Sequence, residues 1–252
     1  MDQLGTLTTS FKDKIATISF HHPAGNSFPS HLLQKLTAEL NTLSTNSDIS
    51  VIILKSEGVG AFCGGASFDE LVSINELESG TRFFSGFANV INAMRKCSKL
   101  IVGRIHGKAV GGGVGLASAC DYSFATKDAL VKLSELAVGI GPFVIAPAVE
   151  RKVGLKGLTE MTLNPQLWKS AEWAENQGLY ANVSEDASQM DERIETFCLR
   201  ISNYNPEALA DMKKVLWEGT EHWSSLLYER AAISGSLVLS DYTKNFLSEF
   251  RK

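Results

Sequence analysis

Basic charge is not in excess in this chain. Lys and Arg number 24 against 28 Asp and Glu, a formal net charge of -4, so the electrostatic footprint of a nucleic-acid-binding protein is missing. Cysteine is scarce and dispersed: Cys63, Cys97, Cys120 and Cys198 keep no metal-ligand spacing. Cys120 and Cys198 lie in apolar helical contexts, where a free thiol packs as a small hydrophobe, which suits a reduced, cytoplasmic setting. His21 and His22 flank a turn with no Cys or carboxylate at metal spacing, so they read as solvated loop histidines and no metal is expected. No apolar run approaches the roughly 20 residues that span a bilayer, so no membrane partner is expected. Met1-Asp2-Gln3-Leu4 has neither a charged n-region nor an apolar run, nor the Arg- and Ser-rich start of a transit peptide, so no targeting segment is expected. Internal repeats, linkers and low-complexity segments are also missing.

What is present suits a folded domain with a sizeable core: 252 residues, 44% hydrophobic and 21% charged. Phe11 to Phe20 turns from polar to alternating and reads as a strand. His21 to Ser27 is a loop. Ser30 is placed to cap a helix whose leucines fall at 33, 36, 40 and 43. Val51-Ile52-Ile53-Leu54 is a continuous apolar run, as in a strand buried on both faces. A glycine-rich loop, Gly58 to Gly65, precedes a helix from Thr81 to Lys99 with Phe83, Phe87, Val90 and Met94 on one face. A strand from Leu100 to Ile105, a buried helix from Val114 to Cys120 and a strand from Tyr122 to Thr126 follow. This alternation predicts an α/β core of parallel βαβ units over residues 1–165. Residues 166–252 hold only helix-like patterns: Trp168–Gln177, Met190–Ser202, Pro206–Glu218, Trp223–Leu239 and a last amphipathic stretch to Lys252.

Between Gly107 and Gly115 lie five glycines in nine residues, after a strand and before a helix. Such a turn offers free N–H groups and the positive end of a helix dipole to something negative. A phosphate loop needs Gly-Lys-Ser/Thr after the glycines, and Val114-Gly115-Leu116 stands there. A dinucleotide fingerprint from Gly111 needs glycine at 116, where leucine sits. Two uses remain, an oxyanion hole or tight helix–sheet packing without a ligand. Glu135 lies in the otherwise apolar segment Leu130 to Pro142. Burial raises a carboxyl pKa toward the range of a general acid/base, and the bland alternative is a helix-start carboxylate or an ion pair with Lys132. His106, beside the glycines, is either a donor to a ligand or a satisfied structural histidine. Ser67 and Ser134 lack the Gly-x-Ser-x-Gly elbow, which disfavours acyl-enzyme chemistry.

Taken together, these segments resemble the crotonase (enoyl-CoA hydratase/isomerase) superfamily over nearly the whole chain. Ala61 to Leu71 resembles its first oxyanion loop and Gly107 to Asp121 its second, which puts the paired N–H donors at Ala66 and Gly112, with Gly111 beside the substrate. Asn26 falls where the family has its Asn near the adenine of coenzyme A. Glu135 matches the second of two hydratase glutamates; the first would fall at 115, where this chain has Gly115. Ser67 replaces the usual Asp or Asn of the first loop. The resemblance, closest in motif to bacterial methylglutaconyl-CoA-hydratase-like members, implies a crotonase-type spiral of βαβ repeats with a helical C-terminal trimerisation region, and a homotrimer or dimer of trimers. It implies an acyl-CoA lyase of fatty-acid-type metabolism that adds water to, or removes it from, a 2-enoyl thioester. Coenzyme A would be part of the substrate, with no separate cofactor. Alternatives are a 3,2-enoyl-CoA isomerase using the single glutamate, a dehydratase or decarboxylase of carrier-protein thioesters in polyketide β-branching, and a non-catalytic CoA-ester binder. Phe84, Ile140 and Phe143 are candidate pocket walls.

Overall fold

The computed structural model describes residues 4–249, so the targeting reading at Met1 to Gln3 and the end of the stretch to Lys252 lie outside the described residues. The chain opens with a hairpin, β1 (Thr6–Lys12) and β2 (Ile15–His21), antiparallel and in register from Thr6–His21 to Lys12–Ile15. The single strand expected over Phe11 to Phe20 is therefore two. Asp13, at φ 55°, makes the reversal, a conformation that Asp tolerates better than most residues.

From β2 onward the sheet is parallel. Helix α1 (Ser30–Thr45) leads to β3 (Val51–Ser56). Helices α2 (Phe68–Ser73) and α3 (Leu77–Lys96) lead to β4 (Leu100–Ile105), then β5 (Ala109–Val110), α4 (Gly112–Ala119), β6 (Tyr122–Thr126), β7 (Val131–Lys132), α5 (Glu135–Val138) and α6 (Ala146–Leu163). The rest comprises α7 (Ala171–Asn176), β8 (Asn182–Ser184), α8 (Ala187–Ser202), α9 (Pro206–Leu216), α10 (Trp223–Leu237) and α11 (Asp241–Glu249). The main sheet runs β1-β2-β3-β4-β6-β8, and β5 with β7 forms a second, two-stranded parallel sheet.

Alternation along β3 explains the double-sided burial. Ile52 and Leu54 join the larger core under α1, α3 and α4, while Val51 meets Met190, Ile194 and Cys198 of α8 on the other face. All four cysteines are free and buried, and burial pushes the Cys63 and Cys120 thiols up to about 12, which leaves them unreactive. No helix among the described residues is long and apolar enough to cross a membrane.

Three sequence expectations need correction. Ser30 does not cap α1: Pro29 holds that place, and both the Ser30 N–H and hydroxyl donate to Glu70 Oε2, at 2.8 and 2.9 Å. Helix α6 is missing from the sequence reading, because Gly154, at φ 69°, kinks it and breaks the apolar period. The region after residue 165 is not wholly helical either. Strand β8 hydrogen-bonds to β6 and extends the main sheet, but three residues are too short for a period-2 signal.

The C-terminal helices are tied to the sheet by a buried charge pair. Lys213 Nζ meets Asp121 Oδ2 at 2.9 Å and donates to Lys99 O, while Ile101 N–H and Trp217 Nε1 donate to the same carboxylate at 2.7 Å. With the two side chains 2% and 5% exposed, removing one partner strands the other charge. Lys213→Met is expected to cost about 3–5 kcal/mol, measured by urea denaturation.

Candidate active site

The site is assembled at the C-terminal ends of neighbouring parallel strands, where α/β sheets open their crevices. The loops after β2, β3 and β4 lie side by side because those strands pair in that order. Backbone hydrogen bonds then stitch the loops together. Gly64 N–H donates to Gly25 O and Phe28 N–H to Gly65 O; Cys63 N–H donates to Lys108 O and Val110 N–H to Cys63 O. Gly65 takes φ 90° and Gly111 φ 51°, both in the left-handed region that favours glycine.

This folding leaves two donors unused. The Ala66 and Gly112 N–H groups hydrogen-bond to no described residue, although their neighbours Phe28, Gly65, Ser67 and Gly111 are engaged. Ala66 bridges Phe28 through its flanking residues, and Gly112 opens α4, where the first N–H groups have no partner within the helix. A Cβ placed on Gly65 would lie 2.8 Å from Val110 O and 3.4 Å from Gly112 N, so the two loops touch.

Strand β7 delivers the third element. Gly111 N–H donates to Lys132 O at 2.9 Å, and Glu135 follows three residues later at the start of α5. A Cβ on Gly111 would lie 2.7 Å from Glu135 Oε1, so the carboxyl rests against the glycine backbone of the donor loop. Glu135 Oε2 is cut off from solvent and has no hydrogen-bond partner. Burial raises this carboxyl to about 7, opposed only by its own backbone N–H. The ion pair with Lys132 does not form among the described residues, because Lys132 Nζ sits over the Trp168 ring, 4.4 Å from its centroid.

These groups face one cavity of about 220 Å³, whose other walls are mainly apolar, with Phe84, Ile140 and Phe143 as expected, Phe87 and Ile145, and the polar side chains of Ser134 and Ser234. Glu135 is the one charged side chain in its lining among the described residues. Phe87 was legible only as a core residue of α3, yet a Cβ on Gly112 would come within 2.7 Å of its Cζ. The ring therefore forces glycine at the second donor.

Gly115 has an equally concrete reason. A Cβ there would lie 2.8 Å from Ile145 Cβ, so the place where a second glutamate would stand is occupied by Ile145. No sequence signal links the two, because Ile145 arrives from the turn before α6. Gly115→Glu alone is expected to cost about 1–3 kcal/mol through overpacking, and less when combined with Ile145→Ala. A double-mutant cycle by chemical denaturation measures the coupling.

Other candidates separate from the site. Asn26, 4% exposed and at φ 55°, spends its whole side chain on the chain itself. Nδ2 donates to Glu57 O and Ala61 O at 3.0 and 2.9 Å, and Oδ1 accepts from His22 N–H at 3.0 Å. Asn26 thus holds the first loop in shape rather than offering its amide to a ligand. Ser67 caps α2, accepting from Glu70 N–H. His106 lies outside the cavity lining, and neither ring nitrogen has a partner, so it is not the satisfied histidine of the sequence reading. Burial and then Arg104 lower its pKa and keep it neutral. His21 and His22 are half-buried rather than solvated, and no metal-binding cluster exists among the described residues.

Comparison with known proteins points to one family. The family model for enoyl-CoA hydratase/isomerase matches residues 10–233. The chain is 28% identical to a probable enoyl-CoA hydratase of Bacillus subtilis over 81% of this chain and 78% of that protein. It is 27% identical to the bacillaene synthase dehydratase PksH of Bacillus subtilis, over 94% and 89%. Its fold superposes on the crystal structure of an enoyl-CoA hydratase from Bacillus halodurans with a TM-score of 0.89 at 21% identity, covering 96% of this chain and 99% of that one.

Proposed function

The chain belongs to the enoyl-CoA hydratase/isomerase family, and within it we propose an enzyme that hydrates a 2-enoyl thioester and dehydrates the 3-hydroxyacyl thioester. The observation that carries this reading is the Glu135 carboxyl, its Oε2 unpartnered, resting beside the donor loop in a mainly apolar cavity that the two free N–H donors also face. The thioester oxygen sits between the Ala66 and Gly112 N–H groups. Glu135 accepts a proton from water as the water oxygen bonds to C3. The C2=C3 electron pair moves toward the thioester oxygen, giving an enolate that the two donors stabilise. Glu135 then returns the proton to C2, so one carboxylate completes the addition.

The apolar wall supports a plain aliphatic acyl group over one ending in a carboxylate, which would meet no cation in the lining. A second reading, a carrier-protein thioester in place of coenzyme A, is supported by the PksH relative's match along 94% of the chain. The chemistry at C2 and C3 is the same. A panel of 2-enoyl, 3-enoyl and 3-methylglutaconyl thioesters, each on coenzyme A and on a carrier protein, tests both readings. Hydration of the 2-enoyl set is the expected result. Conversion of the 3-enoyl set without hydration identifies an isomerase instead, and binding without turnover of any substrate identifies a non-catalytic protein.

A further inference from the structure

The cavity that holds Glu135 has a smaller neighbour. A second cavity, of about 110 Å³, lies between α2 and α11, with Leu71, Ile74, Val238 and Leu247 among its walls. Leu71 and Leu247 also line the larger cavity of about 220 Å³, and among the described residues no other side chain borders both. These two leucines, one from α2 and one from α11, therefore form the wall between the two spaces.

The fold holds each leucine in that wall. Helix α2 begins two residues after the Ala66 donor; Ser67 caps it, and its Glu70 is tied to α1 by the N–H and hydroxyl of Ser30. Leu71 comes next. Helix α11 packs against both α2 and α5, the helix that Glu135 opens. Its anchor is Thr243, fully buried against the turn that ends α5: a Cβ on Gly139 would lie 2.6 Å from Thr243 Oγ1. Leu247 follows one helical turn later on the same face of α11 and is buried too.

The chemistry of the second cavity says what it can receive. Leu71, Val72, Ile74 and Val238 bring no polar side chain to it, while Lys244 and Ser248 are exposed and mark its rim. The amides of a pantetheine arm would be left unpaired against such walls, whereas a hydrocarbon chain loses nothing there. Resting on the reading of the larger cavity as the acyl-thioester site, we propose that Leu71 and Leu247 set the longest acyl chain this protein accepts. The second cavity is then an extension of the acyl site that the two side chains close off. Neither leucine can move a proton, so both act on which chains are accepted and not on the chemistry at C2 and C3.

The test is a chain-length series, 2-butenoyl- to 2-decenoyl-CoA for hydration and the matching saturated acyl-CoA thioesters for Kd by calorimetry. In the wild type both readouts should fall off once the chain reaches the wall. Leu247→Ala and, independently, Leu71→Ala are expected to raise kcat/KM at least tenfold for the first excluded chains, the scale on which a pocket discriminates single methylenes. The value for 2-butenoyl-CoA should stay nearly unchanged. Val238→Phe, which fills only the second cavity, should cancel the gain when combined with Leu247→Ala. Melting temperatures establish that each variant is folded, and the two leucines lie on different helices, so one disturbed element does not decide the outcome. A wild type with no fall-off, or folded variants with an unmoved limit, overturns the inference and leaves the hydratase reading intact. An equal change for every chain length also overturns it, because the leucines then face the carrier arm. A length limit that moves in Kd without hydration of any substrate overturns the hydratase reading alone.

Discussion

Glu135→Gln is expected to lower hydration about a thousandfold and, above pH 7, to raise the stability of the fold. The first effect follows from removing the one group that moves the proton; positioned acid/base groups contribute typically about 10²–10⁴-fold. The second follows from burial. The carboxyl moves from its ordinary 4.5 to about 7 in the folded protein, so the folded state holds the proton more tightly than the unfolded state does. Stability from this group is therefore complete below about pH 4.5 and declines as pH rises through about 7. Ionising it in place costs up to about 3 kcal/mol, at about 1.4 kcal/mol per pKa unit. Glutamine never ionises, so its advantage is seen at pH 8 and disappears at pH 4. Melting temperatures of both proteins across that range check the sign. A structural carboxylate in an ion pair gives the opposite result, a loss of stability in the variant at high pH. Wild-type kcat/KM for hydration should also rise with pH through about 7, as Glu135 becomes the base.

Ala66→Pro is expected to lower turnover by about 10²–10³-fold, the usual cost of one oxyanion donor, about 3–4 kcal/mol of transition-state stabilisation. The substitution suits this position for structural reasons. The Ala66 N–H serves no hydrogen bond in the fold, so proline removes a donor that only the reacting oxygen uses. The preceding Gly65 has no Cβ to clash with the proline ring. The bridge to Phe28 uses the Phe28 and Ser67 N–H groups, which proline at 66 leaves in place. Ala66→Gly keeps the donor and should retain most of the activity. A thermal melt separates a lost donor from a distorted loop, because only the latter shifts the unfolding midpoint by several degrees. If Ala66→Pro turns over like the wild type, the thioester oxygen is held elsewhere.

Much of the site was legible in the sequence because its parts are local. A strand, a glycine run and a helix in succession specify a turn with free N–H groups, and failure against both nucleotide patterns leaves an oxyanion hole or ligand-free packing as its use. Glu135 was legible as a carboxylate in an apolar segment, but its two uses were equally open. The structure removes the ion pair by seating Lys132 on Trp168 and leaves Glu135 Oε2 without a partner, while Glu135 does open α5.

What the sequence hides is the meeting of distant residues. Ile145 filling the space beside Gly115 and Phe87 against Gly112 each depend on packing between residues 25 or more positions apart, and no local period encodes it. Asn26 shows a structural duty that the motif did not reveal. A motif position implied a ligand contact, whereas the fold spends all three hydrogen bonds of the side chain on bracing the turn. The missed β8 and kinked α6 share one physical cause, since three residues or an interrupted helix carry too little periodicity to stand out.

The central claim is that Glu135 activates water for attack at C3 of a 2-enoyl thioester. Incubating the purified protein with 2-butenoyl-CoA in H2¹⁸O and weighing the product measures this directly. The account predicts a 3-hydroxybutanoyl thioester carrying ¹⁸O at C3, formed about a thousandfold more slowly by Glu135→Gln. Label incorporation at the same rate in both proteins, or 3-butenoyl-CoA converted to the 2-enoyl form with no label taken up from either substrate, contradicts it.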